Sequence, residues 1–419
     1  MRESYDVVVI GGGAAGIPAA IQAARAGAGT ILVEKNGILG GTMTAGGACQ
    51  PALFHAWGRQ VIAGIGWELV QRTVREAGGA MPDFATPGPR QNSHTIYASF
   101  PLFAALADEA VREAGAELLL HAMLARAEFA GGEWRLDLCT KTGLRPLQAK
   151  VLIDATGDAS AVQIAGFPVR RHDTLQPGTL LVRASGYDAA ALDYAAIQSA
   201  FDREVAAGRM KDSDFGWGRP RVNGFLRSYG GNANHVCPVD GTTSESRTQA
   251  EVAARETLLR IYRFLRAQKG LEGLRIDWIA SEVGIRETVT IRGKKTITLE
   301  DYLSGRVWED AVCHSFYPID LHQVEGFDFR PLPEGVVPTI PRGAMLPEGS
   351  RFLLAPGRHM SGDRLAHSAY RVQATCMASG QAAGAMAALA ARTGRDPEEL
   401  DLAEVRTLLL DHGAIVPQT

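Results

Sequence analysis

The sequence is poor in cysteine, and its cysteines are scattered. Five occur in 419 residues, with no C-x-x-C pair and no cysteine–histidine spacing of the zinc type. We therefore expect reduced core thiols and no metal, and a disulfide-relay enzyme is disfavoured. The five are Cys49, Cys139, Cys237, Cys313 and Cys376.

A large excess of charge of either sign is also missing. The formal net charge is -3, so no broad positive field attracts a polyanion. We therefore expect a small-molecule substrate and no nucleic acid as partner.

Long apolar runs are absent as well. The first run, residues 7–10, follows an acidic start and enters glycines directly, without the apolar region of a signal peptide. No other run approaches the length of a membrane span. The expectation is a cytoplasmic protein with no membrane span and, at 46% hydrophobic residues, a substantial core.

The N-terminal stretch, residues 5–35, predicts a strand, a turn, a helix and a second strand. Gly11, Gly13 and Gly16 form G-x-G-x-x-G between the first strand and the helix, which is typical of a Rossmann-type dinucleotide site. The first glycine permits the tight turn, the second lets the backbone approach the pyrophosphate, and the third lets the helix pack on the sheet.

The ligand groups of this site follow from the same motif. Amides at the helix N-terminus, around Ala14 and Ala15, would face the phosphates, where the helix dipole favours negative charge. Glu34 ends the second strand and would accept hydrogen bonds from the adenosine ribose, with Lys35 beside it. The motif by itself does not separate FAD from NAD.

Three later segments favour FAD over NAD, because they resemble a known family of flavoproteins. GILGGTMTAGG at 37–47, DATGDASAVQIAG at 154–166 and the segment 352–390, with its PGRHMSGDRLAHSAYR, resemble the FAD-dependent oxidoreductase family. This family belongs to the glutathione-reductase-like flavoproteins and is related to the flavoprotein subunits of succinate dehydrogenase and fumarate reductase. The stretch 284–322, GIRETVTIRGKK through YPIDLH, matches it too.

The resemblance implies a set of further cofactor-binding residues. They are Gly40, Gly41 and Thr42 around the pyrophosphate and flavin, Ala155, Thr156, Gly157 and Asp158 in a turn over the cofactor, Met123 at the adenine, Gly357 and Arg358 along the ribityl and phosphate chain, and Arg371, Val372 and Gln373 at the flavin. The amides of Val372 and Gln373, at the start of the last long helix, would stabilise negative charge on the ring. Covalent relatives carry a histidine in the loop at 40–42; this chain has none, so we expect non-covalent FAD.

The pattern along the chain predicts an α/β fold with two domains. A helix at 100–114, a strand at 118–123, a β-meander at 124–151 and an alanine-rich helix ending near 391 complete a glutathione-reductase-like, Rossmann-type FAD-binding domain. We assign it residues 1–178 and 342–419, with a loop and helix insertion at about 50–98. Residues 179–341, richer in aromatic and polar residues, are predicted to be an inserted α+β substrate domain with a helix near 248–268.

Hydride transfer at flavin N5 requires groups that manage a proton and hold substrate charge. His322 or His367 would handle the proton, and Arg286 and Arg364 would hold a small polar or anionic substrate. The direction of transfer stays open, and so do two alternatives, a flavin monooxygenase and an FAD-dependent RNA-modifying protein. Residues 179–341 lack a second G-x-G-x-x-G between a strand and a helix, so we expect oxygen, a quinone or a separate redox protein as electron partner rather than NADH or NADPH.

Overall fold

The computed structural model describes residues 2–86, 88, 90–216, 220–232, 234–236, 239–323 and 326–418. The strands are β1 Ser4–Ile10, β2 Thr30–Glu34, β3 His55–Ala56, β4 Arg59–Gln60, β5 Glu117–Leu120, β6 Met123–Ala130, β7 Glu133–Thr140, β8 Gly143–Asp154, β9 Val169–Arg171, β10 Gly178–Thr179, β11 Val182–Ser185, β12 Gly230–Gly231, β13 His235–Val236, β14 Arg275–Ile279, β15 Val289–Ile291, β16 Ala311–His314, β17 Ile319–Gln323, β18 Gly326–Arg330, β19 Thr339–Pro341 and β20 Leu353–Leu354. The helices are α1 Gly16–Arg25, α2 Ile65–Glu76, α3 Phe100–Glu113, α4 Ser160–Ile164, α5 Tyr194–Ala206, α6 Arg221–Arg227, α7 Ser244–Arg266, α8 Leu299–Ser304, α9 Arg364–Tyr370, α10 Gln373–Thr393 and α11 Leu402–Asp411.

The central sheet has the order β5-β2-β1-β8-β7-β6, with β20 on β8. Strands β5, β2, β1, β8 and β20 run parallel. The apolar runs of β1, β2, β8 and β20 are buried, because both faces of a parallel sheet are covered, whereas the edge strand β5 is only half-buried. The β1–α1–β2 unit is the strand, helix and strand predicted from residues 5–35. The structure confirms the Rossmann-type α/β fold.

The predicted β-meander consists of β6, β7 and β8, paired antiparallel. The 12-residue β8 joins the meander to the parallel strands of the same sheet, pairing with β7 through its first half and with β1 through its second. The strand expected at 118–123 is shorter: β5 ends at Leu120, and Met123 is the first residue of β6.

Helix α10 is the predicted alanine-rich helix, and it packs against α1. Nearly every residue from Ala374 to Ala390 is buried, as expected for a helix that is apolar on all sides. The two backbones meet at Gly380, where a Cβ would lie 2.0 Å from the carbonyl oxygen of Ala15. Only glycine permits this approach.

Two hydrophobic cores are present in the described chain. The second core runs from Leu180 to Ile285 and is formed by α5, α6 and α7 with short antiparallel strands around β11. Residues such as Val289, Ile319 and Ile340 instead belong to the first core, together with the central sheet. The domain division at 178 and 341 stays a prediction; we use "second unit" below for residues 180–285.

The cysteines follow the prediction of core thiols with one exception. Cys49, Cys313 and Cys376 are buried, whereas Cys139 on β7 is exposed, because alternate residues of that strand face solvent. Burial raises the pKa of Cys49 to about 12, so this thiol is unreactive at neutral pH. Cys237 lies outside the described residues. None of the helices in the described ranges is long and apolar enough to span a membrane.

Candidate active site

A long cleft lies at the carboxyl ends of β1, β2 and β8 and extends along the second unit. Ligands of open parallel sheets bind at this edge. Most of the predicted cofactor residues line the cleft: Gly11, Gly13, Ala14, Ala15, Glu34, Lys35, Gly41, Thr42, Ala155, Thr156, Gly157, Asp158, Gly357, Arg358, Arg371, Val372 and Gln373. Arg286 and His322 also line it.

The glycine-rich turn has the geometry that its motif requires. Gly11 has φ +99°, and a Cβ there would lie 2.6 Å from the carbonyl oxygen of Ala155. A Cβ on Gly16 would lie 1.8 Å from the carbonyl oxygen of Gly11, so the helix can start this close to the strand only with glycine. Gly13 faces open space, since its nearest neighbour would be Gly41 Cα at 4.0 Å.

Unpaired amides face the cleft at the N-termini of two helices. The amides of Gly13, Ala14 and Ala15, before α1, donate to no group in the part of the chain that the structure describes. The same holds for Val372 and Gln373 at the start of α10, again within the described ranges. Such amides, with the positive end of the helix dipole, form sites for anionic or electron-rich groups.

Glu34 is buried beside the glycine-rich turn. Its Oε2 accepts a hydrogen bond of 2.7 Å from the amide of Gly12, and its Oε1 accepts one of 2.9 Å from the amide of Asn36. Burial raises the pKa of the carboxyl group and outweighs these two hydrogen bonds. Each carboxylate oxygen keeps a further lone pair, which can accept a ribose hydroxyl.

Lys35 is directed toward the second unit. Its amine forms an ion pair with Glu282, which also accepts a hydrogen bond of 3.1 Å from Nδ2 of Asn36 and lies 3.4 Å from Arg247. Burial alone would raise the pKa of Glu282, but the charges of Lys35 and Arg247 lower it. Lys35 therefore helps to hold the second unit against the Glu34 end of the cleft.

The turn Ala155–Asp158 forms a further part of the cleft lining. Asp154 supports it, because Oδ1 accepts hydrogen bonds from the amide of Thr156 at 3.0 Å and from its hydroxyl at 2.6 Å. Arg358 donates to the carbonyl of Gly157 at 3.0 Å, to the carboxylate of Asp158 and to the carbonyl of Ile285. Its guanidinium thus joins the turn to the second unit.

The far end of the cleft carries a cluster of polar groups: the charged Arg286, Arg371 and Asp320, and the titratable His322, with Tyr317 beside them. Arg286 donates to the carbonyl of Pro177 at 2.8 Å and to Oγ1 of Thr179 at 2.9 Å. Burial, and then the charge of Arg371, lowers the pKa of Arg286 to about 9, so the side chain is still cationic at neutral pH.

The pair formed by His322 and Asp320 lies close to both arginines. Nε2 of His322 is 3.1 Å from Oδ2 of Asp320. Burial lowers the pKa of His322, and Arg286 and Arg371 lower it further, whereas the hydrogen bond to Asp320 raises it; the net direction is down. The imidazole is therefore mainly neutral at pH 7.

Two of the predicted catalytic residues lie elsewhere. His367, on α9, is buried, with Nε2 2.9 Å from the carbonyl oxygen of Arg358, and it does not line the cleft. Arg364 does not line the cleft either, and its Nε lies 3.7 Å from Oε1 of Glu287. Both residues thus lie outside the cleft lining, although their helix leads directly into the start of α10.

Three predicted cofactor residues are also absent from the lining. Gly16 lies behind the turn, and Gly40 donates a hydrogen bond of 2.7 Å to the carbonyl of Gly12, which ties two cleft loops together. Met123 has a side chain that is 57% exposed. A backbone contact from Met123 to an adenine stays a prediction.

Sequence reasoning missed Asp320, Tyr317 and Glu282. Asp320 and His322 stand two apart in YPIDLH, and a strand there would have placed them on one face. No local pattern marks Glu282, because its partners Lys35 and Arg247 are distant in sequence.

The fold and the cleft define a Rossmann-type dinucleotide-binding protein with a charged site at one end. The model of the family described as FAD dependent oxidoreductase matches residues 6–409. The chain therefore belongs to the FAD-dependent oxidoreductase family and is a flavoenzyme with FAD as its cofactor.

Curated relatives match only in short stretches. The chain is 55% identical over 53 residues to dihydrolipoyl dehydrogenase of Trypanosoma brucei brucei, which is 12% of this chain and 11% of that protein. It is 38% identical over 77 residues to 4-oxocyclohexanecarboxylate 2-dehydrogenase of Sinomonas cyclohexanicum, 18% of this chain and 11% of that protein. The matches thus span about a tenth of each relative.

Solved structures are similar at low identity. A geranylgeranyl bacteriochlorophyll reductase-like protein from Thermoplasma acidophilum has a TM-score of 0.44 at 15% identity, over 98% of this chain and 84% of that one. AlpK has a TM-score of 0.46 at 13% identity, over 98% and 70%.

The cleft residues fit FAD. The unpaired amides before α1 suit the pyrophosphate, Glu34 suits the adenosine ribose, and the amides of Val372 and Gln373 suit the electron-rich edge of the flavin. Oε1 of Gln373 is buried without a partner in the described chain and faces the same region. An orphaned buried acceptor of this kind is typical of a site whose ligand supplies the missing donor.

Proposed function

We propose that the protein transfers hydride between a small polar or anionic substrate and flavin N5, with the charged end of the cleft as the substrate site. The observation that carries this proposal is the convergence of Arg286, Arg371 and the Asp320–His322 pair beside the start of α10. When bound, FAD supplies the two-electron acceptor or donor.

Arg286 and Arg371 give this end of the cleft its selectivity for charge. Arg286 is held by two acceptors from residues 177 and 179, so its guanidinium is fixed before substrate arrives. Arg371 donates to Oε1 of Gln176 at 3.3 Å. Two fixed cations in a partly buried site favour a carboxylate or another electron-rich oxygen on the substrate.

His322 is the group that moves the proton. Its lowered pKa leaves it mainly neutral at pH 7, and a neutral imidazole can take the hydroxyl or amine proton of a substrate that loses hydride. In the opposite direction the protonated ring returns that proton. Arg364 and His367 have no part in this scheme, because neither lines the cleft.

We propose a separate electron partner, such as oxygen, a quinone or a redox protein. The described strands of the second unit pair antiparallel, as in β11 with β12 and β14. A parallel βαβ unit with a glycine-rich turn, which binds nicotinamide dinucleotides in two-dinucleotide flavoenzymes, does not occur in the described part of this unit.

An anaerobic screen tests the substrate. Candidate metabolites, including hydroxy acids, amino acids and other small carboxylates, are mixed with the oxidised holoenzyme, and loss of flavin absorbance marks a donor. The chemically reduced enzyme is screened in parallel for reoxidation by activated alkenes. We expect an anionic compound to react; a panel in which only uncharged, apolar compounds react would contradict the proposal.

Substitutions then test the site with the substrate found. Arg286→Ala and His322→Ala should leave the flavin spectrum largely intact and slow flavin bleaching by about 100-fold or more, a loss typical of general acid–base catalysis. Arg330→Ala is the matched control, since this exposed arginine pairs with Asp328 outside the cleft. Equal rates for all four proteins would remove Arg286 and His322 from the site.

A further inference from the structure

Asp320 is placed to orient the imidazole of His322. Both residues belong to β17, and because they are two apart their side chains lie on one face of the strand. The backbone on either side is anchored: the amide of Asp320 donates to Oγ of Ser368 at 3.2 Å, and the amide of His322 donates to Oε1 of Gln176 at 3.2 Å. The distance of 3.1 Å between the side chains is therefore set by a fixed strand.

Asp320 is ionised in this environment. Burial alone would raise its pKa, but the hydrogen bond with His322 and the charges of Arg371 and Arg286 lower it. The charged and titratable groups around the pair are Arg286 from the segment after β14, Arg371 after α9, Tyr317 before β17 and His235 on β13. An ionised carboxylate only accepts hydrogen bonds, so Nε2 of His322 must carry the hydrogen that it donates to Asp320.

We infer that Asp320 is a positioning residue that fixes His322 in the Nε2–H tautomer and thereby makes Nδ1 the nitrogen that exchanges the substrate proton. This inference rests on the proposed function. In the oxidative direction, bound FAD would accept the hydride released when the substrate C–H bond breaks, and the O–H or N–H proton would go to Nδ1 of His322. Asp320 stays ionised throughout and stabilises the imidazolium that forms.

Asp320→Asn tests the inference by kinetics. The amide keeps the shape of the side chain but can present its NH₂ group to Nε2, which would stabilise the other tautomer. We expect flavin bleaching by the identified substrate to slow by about 100-fold or more, with unchanged FAD affinity and spectrum. The acid limb of the pH profile of bleaching should move to lower pH, because the variant loses the partner that raises the pKa of His322.

Asp328→Asn is the matched control. This carboxylate lies on β18 of the same hairpin, pairs with Arg330 and does not line the cleft. Its variant should behave as wild type. Asp320→Glu, which keeps the charge, should recover part of the rate.

The outcomes separate this inference from the proposed function. If Asp320→Asn has the rate and pH profile of the wild type, the inference about Asp320 is overturned. A slow Asp320→Asn variant with an unaffected His322→Ala variant also overturns it, because Asp320 would then act on the substrate itself. Unaffected rates in both variants would count against the proposed function as well.

A second measurement needs neither a substrate nor an Asp320 variant. In the ¹⁵N-histidine-labelled wild-type holoenzyme, the His322 ring should show protonated Nε2 and unprotonated Nδ1 at pH 7.5, assigned with the His322→Ala spectrum. A ring with Nδ1–H would overturn the inference even if Asp320→Asn failed to fold.

Discussion

The amide of Gly12 donates a hydrogen bond of 2.7 Å to Oε2 of Glu34 and so joins the glycine-rich turn to the end of β2. The carboxylate that should bind the adenosine ribose therefore also holds the turn that should bind the pyrophosphate. A change at Glu34 should therefore weaken the binding of both the ribose and the pyrophosphate.

Glu34→Ala should weaken FAD binding by about 1 to 3 kcal/mol, because the ribose loses a charged acceptor and the Gly12 amide loses its partner. Fluorescence of released FAD on serial dilution gives the dissociation constant. Glu133→Ala, an exposed position on β7, is the control. Unchanged flavin retention in Glu34→Ala would show that the carboxylate is not at the ribose.

Acid precipitation should release free FAD into the supernatant and leave a colourless pellet. The expectation rests on the loop Gly40, Gly41 and Thr42, which offers no histidine for a covalent bond. Absorbance of supernatant and pellet at the flavin maximum is the measurement. Flavin that stays with the pellet after denaturation would contradict non-covalent binding.

NADH and NADPH should not reduce the flavin directly. Anaerobic stopped-flow mixing of the oxidised holoenzyme with excess of either nucleotide should leave the flavin spectrum unchanged for minutes, whereas dithionite should bleach it. Reduction within seconds by one of the two nucleotides would refute this prediction and place a nicotinamide site outside any dedicated βαβ unit.

Acid should destabilise the protein partly through His314 on β16. Burial, and then the charge of Arg59, lowers the pKa of His314 to about 4. Between about pH 6.5 and 4 the unfolded chain binds a proton at this residue that the folded chain does not, so stability falls as the pH falls through that window.

The free energy of unfolding of His314→Gln should fall less steeply with falling pH than that of the wild type. The slope should be smaller by at most about 1.4 kcal/mol per pH unit, because the variant no longer takes up this proton on unfolding. Urea unfolding of the FAD-saturated protein at pH 4.5, 5.5 and 7 measures the slope. Parallel slopes for wild type and His314→Gln would show that His314 is protonated in the folded state.

The sequence was informative where structure depends on neighbours along the chain. The glycine-rich turn, the meander and α10 follow from local periodicity and turn residues, and all were predicted. Whether Arg364 and His367 line the cleft depends on how the short helix α9 is rotated against β17, and no local sequence pattern indicates that rotation. In the same way, Val289 and Ile340 join the first core through tertiary packing that their short strands do not signal.

The close approach at Gly380 links two distant parts of the cleft. Helix α1 begins where we expect the phosphates and α10 begins where we expect the flavin, and the backbone of Ala15 lies against α10 at this glycine. A second close approach follows one turn later, where a Cβ on Gly384 would lie 2.3 Å from the carbonyl oxygen of Ala19, so these two glycines together set how far apart the helix N-termini lie. A larger residue at Gly380 would push α10 away from α1 and so shift the amides of Val372 and Gln373 relative to those before α1.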